Sequence, residues 1–373
     1  MIEKNEPYYD ERPDCYYEET ADQYNMGQRQ EQSEFAANDK ETENIINSFY
    51  TVEQKPLSTG STKVDRLLNG GLYEGSIYIV AGETSTGKTS FVQNIADNIA
   101  MRGEKVIVFS LEMSQKELIK RSICSIGSGN VSYNQIDEEG LQRANKAISD
   151  TIEIYKTKIS PNKIIYDNVS TFFRFMNEDG IKDKIDKVTA ELKQAAQQTN
   201  TALKKPIIII DYIQLIQTPK SPNSKFDYTT EQDRLKNIIT ELKRISNEYQ
   251  STIICISSLS RGAGQETKHK LKGSGDLEYT ADCILSLTEE KQEEYKEINS
   301  ENDYSCMKDA EKLLTKEIKC NVEKMREGAA NISTRLFFKP AEFRFIDDIE
   351  ENIFESENSK NEKPKNKRIK NSW

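Results

Sequence analysis

The stretch SIYIVAGETSTGKT, residues 76–89, decides the fold. Its first half, Ser76 to Ala81, is a continuous apolar run of strand length, as in a strand covered on both faces. Its second half is Gly82-Glu83-Thr84-Ser85-Thr86-Gly87-Lys88-Thr89, with the spacing G-x-x-x-x-G-K-S/T, and Ser90 follows. Glycines at the two ends let the backbone wrap closely, so that its N–H groups point at phosphate oxygens at a helix N-terminus. In such a loop Lys88 supplies positive charge for the β- and γ-phosphates, and Thr89 supplies a hydroxyl ligand for Mg2+. Phe91, Ile95 and Ile99 then recur at four-residue steps, which predicts a helix from Thr89. A loop of this spacing between a buried strand and a helix predicts a site for ATP and Mg2+.

Working outward, four more apolar runs read as strands: Val106–Phe109, Ile207–Ile210, Thr252–Ile256 and Cys283–Leu287. Helical stripes lie between them. Ile181, Ile185, Val188 and Leu192 form one, and Leu235, Ile238, Ile239, Leu242 and Ile245 form another, with a start signal at Thr230 and Asp233. Apolar strands alternating with helices predict an α/β fold, a mainly parallel sheet flanked by helices. Alternating runs at Lys319–Lys324, Ser333–Lys339 and Glu342–Phe345 predict an antiparallel extension at one edge. The Glu- and Lys-dense residues 289–318 predict a solvated helical insertion.

Three regions follow. Residues 1–50 hold 13 Asp/Glu against 4 Lys/Arg and show no periodicity, which predicts an acidic, disordered tail. Residues 51–354 make the folded domain, and residues 355–373 make a basic tail with six Lys/Arg after residue 359. The net charge of −10 leaves the body acidic, which argues against a protein that coats nucleic acid but leaves room for a narrow basic channel. The six cysteines form no C-x-x-C pair and read as small buried thiols in a reduced compartment. With His269 as the single histidine, zinc sites and histidine-based triads are set aside. No apolar run approaches the ~20 residues that span a bilayer, and the polar N-terminus has no signal-peptide core. The expectation is a soluble, cytoplasmic protein without a membrane partner.

Three further groups carry candidate chemistry. Asp211 ends the Ile207–Ile210 strand, where a carboxylate reaches the magnesium shell beside a phosphate loop. Glu112 lies just past the Val106–Phe109 strand, at the carboxyl end where ligands of parallel sheets bind. It can orient and deprotonate an attacking water, and it reads equally well as a surface glutamate at a helix start. Arg261 to Gly264 and Lys268 to Gly275 are basic and glycine-rich. They read either as a loop on a phosphate backbone or as a solvated surface loop.

Taken in order, these motifs resemble the ATPase domain of DnaB-type replicative DNA helicases, a RecA-like P-loop NTPase fold. The resemblance starts at Ser58 to Leu67 with Gly70-Gly71-Leu72 and runs through the phosphate loop. Ser110-Leu111-Glu112-Met113-Ser114 matches the family's S-L-E-M-S, and Asp211-Tyr212-Ile213-Gln214-Leu215 matches its D-Y-L/I-Q-L. Leu259-Ser260-Arg261, then Leu271 to Glu278 with Ala281-Asp282, then Lys324-Met325-Arg326-Glu327-Gly328 complete the series up to Phe343 and Phe345. The resemblance implies that Glu112 is the catalytic base, and that Asp211 supports the magnesium. It implies that Lys324 and Arg326 reach a neighbouring subunit's ATP, and that Arg261, Lys272, Gly273 and Gly275 help line a channel for single-stranded DNA. It implies a hexameric homo-oligomer moving 5′ to 3′, and a helicase loader or primase as partner.

Two departures stand out. The family's γ-phosphate-sensing glutamine in L-S-Q-L is replaced by Ser258 in Ile256-Ser257-Ser258-Leu259. A serine cannot span the same gap without a water, so the tightness of coupling between hydrolysis and movement is open. The alternative is a DNA-stimulated RecA-like ATPase that remodels protein–DNA complexes without unwinding. The acidic residues 1–50 also do not resemble the family's helical N-terminal domain, so the expected ring is weaker or leans on a partner.

Overall fold

The computed structural model describes residues 39–43, 46–47, 55–136, 146–175, 178–218, 230–258, 275–290 and 315–348. The chain divides into two units. In Met1–Lys55 the described residues 39–43 and 46–47 are helical, where the sequence predicts a disordered tail. The rest of that segment and the basic tail lie outside the described residues.

The second unit, Pro56–Trp373, starts with α1 (Thr62–Leu67), β1 (Ile77–Gly82), α2 (Lys88–Met101), β2 (Val106–Ser110), α3 (Gln115–Gly127) and α4 (Lys146–Ile154). It continues with β3 (Lys163–Tyr166), α5 (Ile181–Thr199), β4 (Ile207–Asp211), α6 (Glu231–Tyr249), β5 (Ile253–Ser258) and α7 (Gly275–Thr280). The last described elements are β6 (Cys283–Glu289), β7 (Lys316–Met325), β8 (Ile332–Lys339) and β9 (Arg344–Ile346). The strands form one sheet in the order β3-β2-β4-β5-β1-β6-β7-β8-β9. Pairing is parallel from β3 to β6 and antiparallel from β6 to β9.

The central parallel strands β1, β2, β4 and β5 are mostly apolar because both faces are covered. Tyr78 and Val80 of β1 join the layer built with α1, α2, α3 and α4. Ile77, Ile79 and Ala81 join the layer built with α5, α6 and α7. In α6 the predicted stripe is buried: Leu235, Ile238, Ile239, Leu242 and Ile245 are each at most 1% exposed. Each such side chain contributes about 1.5–3 kcal/mol. Thr230 caps this helix, accepting from the Asp233 backbone N–H at 3.1 Å. Asp97 of α2 and Lys163 of β3 form a buried ion pair at 2.6 Å. Removing one partner would strand the other charge, at a cost of ~3–5 kcal/mol.

The structure adds five helices and strands to the expected set: α1, β3, α3, α4 and α7. Strand β3 has four residues at the sheet's edge, and Ile164 in its middle is 40% exposed. So short a run has no periodicity to read. The ends of the charged 289–318 stretch are strand rather than helix, since β6 runs to Glu289 and β7 starts at Lys316. Residues 291–314 lie outside the described residues. Cys124, Cys255, Cys283 and Cys320 are buried free thiols, and burial pushes Cys255 up to about 12. Among the described residues no helix is long and apolar enough to cross a membrane.

Candidate functional site

The glycine-rich loop follows β1 and turns into α2 at Gly87, whose φ of 86° suits glycine. A Cβ on Gly87 would sit 3.0–3.1 Å from the rings of Phe338 and Phe345. A Cβ on Gly82 would come within 2.7 Å of the Leu287 carbonyl oxygen. Space therefore fixes both glycines of the motif, and backbone freedom fixes Gly87 as well. Thr86 is buried and donates from Oγ1 to the Glu83 carbonyl at 2.9 Å, which closes the loop. Lys88 crosses the same loop: its Nζ donates to the carbonyls of Gly82 at 2.9 Å and Glu83 at 2.7 Å.

Two neighbouring strands bring the carboxylates. Ser110 of β2 pairs in register with Asp211 of β4. Leu111 N–H donates to the Asp211 carbonyl at 2.7 Å, which ties the turn carrying Glu112 to the end of β4. Ser110 Oγ donates to the Met113 carbonyl at 2.6 Å and accepts from its N–H at 3.2 Å. Ser114 then caps α3 in a capping box with Glu117. The S-L-E-M-S signature thus has a local physical meaning: its two serines pin the turn and start the helix, leaving Glu112 between them.

Thr84, Ser85, Gly87, Lys88, Thr89, Ser90, Glu112, Asp211 and Ser258 line one cleft. Asp211 is 4% exposed. Burial pushes its carboxyl up to about 6; the Thr89 hydroxyl bonds to it, Glu112 repels its charge, and Lys88 and Arg121 attract it. Burial holds the Lys88 ammonium below its usual range, and the charges of Asp211 and Glu112 oppose that. Asp211 Oδ1 is buried with no hydrogen-bond partner among the described residues. A buried carboxylate oxygen with spare capacity next to a threonine hydroxyl is a hard-oxygen set that fits Mg2+.

The cleft also holds a residue that the sequence does not single out. Arg121 of α3 lines it, with its guanidinium 4.8 Å from the centre of the Phe343 ring. The only signal for it is an arginine four residues after Glu117 on a helix whose inward face the sequence does not reveal. Ser258 ends β5 directly beside Gly82 of β1. Its neighbour Ser257 accepts from Gln214 Nε2 at 2.7 Å, linking β5 to the turn after Asp211.

The family pattern of the DnaB-like helicase C terminal domain matches residues 56–347. The chain belongs to this family. Replicative DNA helicase DnaC of Bacillus subtilis (strain 168) is 30% identical over 240 residues, which are 62% of this chain and 46% of that protein. Replicative DNA helicase DnaB of Geobacillus stearothermophilus is 28% identical over 255 residues, 66% of this chain and 49% of that protein. The chain thus spans about half the length of these relatives. Among solved structures, one ATPase domain superposes with a TM-score of 0.59 at 22% identity, covering 83% of this chain and 98% of that one. A DnaB-like replicative helicase studied with primase gives 0.58 at 23% identity, covering 81% of this chain and 66% of that one. These likenesses fix the RecA-like ATPase fold.

Lys324 and Arg326 of this DnaB-like domain lie away from the cleft. Lys324 pairs with Ile284 near the start of β6, whereas the phosphate loop adjoins Leu287. Lys324 Nζ donates to the carbonyls of Glu278, Tyr279 and Ala281. Arg326 donates to Asp282 and to the Tyr279 carbonyl. Of the expected DNA-contacting residues, Gly275 opens α7, and Arg261, Lys272 and Gly273 lie outside the described residues.

Proposed function

We propose that this chain is the motor of a replicative DNA helicase, hydrolysing ATP with Mg2+ at the subunit interfaces of a hexameric ring and moving 5′ to 3′ on single-stranded DNA. The observation that carries the proposal is the convergence of Lys88, Thr89, Glu112 and Asp211 on one cleft, from the loop after β1 and the carboxyl ends of β2 and β4. Backbone N–H groups of the loop and the Lys88 ammonium would hold the β- and γ-phosphates. Thr89 and Asp211 would hold Mg2+, which when bound neutralises charge developing on the phosphates. Glu112 would orient the attacking water and accept its proton. Arg326 of a neighbouring copy, backed by Lys324, would stabilise the charge on the transferring phosphoryl group. Arg261, Lys272, Gly273 and Gly275 would meet the DNA, and a loader or primase would be the further partner. Residues 51–354 would form the motor domain, with the acidic and basic segments as its tails.

A second reading has Ser258 in its favour: a DNA-stimulated ATPase that remodels protein–DNA complexes without unwinding. Phosphate release with and without single-stranded DNA, run beside displacement of a labelled strand from a forked duplex, tests both. DNA-stimulated release with displacement supports the helicase. Stimulated release without displacement selects the remodeller, and no ATP-dependent release removes both.

A further inference from the structure

Asp282, between α7 and β6, sits at the junction of four segments. Its Oδ2 accepts from the Ile77 backbone N–H at 2.8 Å and from Lys243 Nζ at 2.6 Å. Its Oδ1 accepts from Arg326 Nη1 at 2.9 Å, and its carbonyl accepts from the Arg326 N–H at 2.9 Å. The two carboxylate oxygens thus do different work: one is built into the start of β1 and the side of α6, and the other faces the arginine. The Asp282 side chain is 16% exposed, whereas that of Arg326 is 47% exposed.

Lys324 differs from Arg326 in one decisive respect. An ammonium has three donors, and those of Lys324 go to the carbonyls of Glu278 at 2.6 Å, Tyr279 at 3.0 Å and Ala281 at 2.8 Å. These carbonyls belong to the C-terminal end of α7, where helices leave acceptors unsatisfied and favour a cation. Burial, then the like charge of Arg326, hold the Lys324 ammonium below its usual range, and Asp282 opposes that. A lysine with every donor engaged is a cap. Arg326 has five N–H donors, and among the described residues two are engaged, at Asp282 and at the Tyr279 carbonyl.

We propose that Asp282 is a positioning residue that aims the Arg326 guanidinium at the nucleotide of a neighbouring copy, from a platform at the end of α7 that Lys324 fixes. This rests on the shared-site reading given above. A guanidinium held on one side by a carboxylate and a carbonyl presents its other edge in a set direction. Without the carboxylate the side chain samples many rotamers, and a misplacement of about 1 Å can cost ~100-fold in rate.

The test is Asp282→Asn in the full chain. The amide oxygen satisfies Ile77 and Lys243, which turns the NH2 group toward Arg326, donor against donor. The expected result is a kcat lowered ~10- to 100-fold with ATP affinity retained. Mixed with Lys88→Ala protein, the variant regains activity, because its intact loop meets an intact arginine. Mixed with Arg326→Ala protein, it does not, because both lesions fall on the arginine side of the interface. Arg326→Ala mixed with Lys88→Ala is the control, and failure of that mixture removes the shared-site reading together with this proposal. With the control positive, a parental rate for Asp282→Asn alone overturns the proposal. So does rescue by Arg326→Ala, or failure of rescue by Lys88→Ala. If circular dichroism shows Asp282→Asn to be unfolded, Asp282→Glu, which keeps the charge and moves it by one methylene, goes through the same mixtures with the same outcomes.

Discussion

Replacing Asp211 with asparagine is expected to stabilise the ligand-free protein while abolishing its Mg2+-dependent hydrolysis. Asp211 is 4% exposed, and its carboxyl rises from 3.8 to about 6. That rise already includes the attraction of Lys88 and Arg121 and the Thr89 hydrogen bond. It corresponds to ~3 kcal/mol of penalty on the ionised form. The folded state favours the protonated acid, so this contribution to stability is complete below pH ~3.8 and is lost as the pH climbs to ~6. Above that the fold carries the whole penalty. Asparagine cannot ionise and still accepts from the Thr89 hydroxyl. The variant should therefore exceed the parent by up to ~3 kcal/mol at pH 7.5, by about half as much at pH 5, and by little near pH 4. Urea unfolding of the full chain without nucleotide or metal, at several pH values, measures the gap. A gap that is absent at pH 7.5, or that stays constant with pH, refutes the argument. The result would make Asp211 a case of stability given up at a site that needs an uncompensated charge.

Three further outcomes are expected. Lys88→Ala should abolish ATP turnover and leave the circular dichroism spectrum unchanged, since among the described residues Lys88 meets only loop carbonyls and the cleft; turnover near the parental rate would remove the loop assignment. Ser258→Gln should tighten the dependence of hydrolysis on DNA, because the longer amide spans the gap that serine leaves beside Gly82; loss of both hydrolysis and DNA binding would show a pocket rebuilt around serine. Lys272→Ala should weaken single-stranded DNA binding and flatten its salt dependence by ~0.7 in logarithmic slope; an unchanged slope would take the loop out of the DNA path.

What is legible in the sequence has a short-range cause. Strands β1, β2, β4, β5 and β6 are apolar runs because both faces are covered, and α6 shows its stripe because one face is buried. The loop and the S-L-E-M-S turn are readable because the side-chain hydrogen bonds that shape them, Thr86 to Glu83, Lys88 to Gly82 and Glu83, and Ser110 to Met113, are local. Strand β3 is invisible because an edge strand needs only two buried positions, and Lys163 and Ile165 alternate with exposed or half-exposed neighbours. Arg121 escapes a sequence reading because its place in the cleft depends on how α3 packs. Asp282 shows only as part of a motif, since its partners Ile77, Lys243 and Arg326 come from three distant parts of the chain.

The strand register also bears on the proposal that the site is shared between copies. Strand β6 runs parallel to β1, and Gly82 lies opposite Leu287, at the phosphate-loop end. Strand β7 runs antiparallel to β6 and reaches Cys283 with Met325, so that Arg326 emerges beside Asp282. Five residues separate Asp282 from Leu287, which at strand rise is about 16 Å along the sheet. The β6–β7 pairing sets this spacing, which exceeds the reach of an arginine side chain anchored beside Asp282. A chain built this way carries an arginine at one end of the sheet and a phosphate site at the other. A head-to-tail neighbour, as proposed above, would bring the two together, and such heterologous contacts close into a ring when the rotation between copies allows. On the shared-site proposal, an arginine held by Asp282 would be the half of the active site that this copy offers to the next.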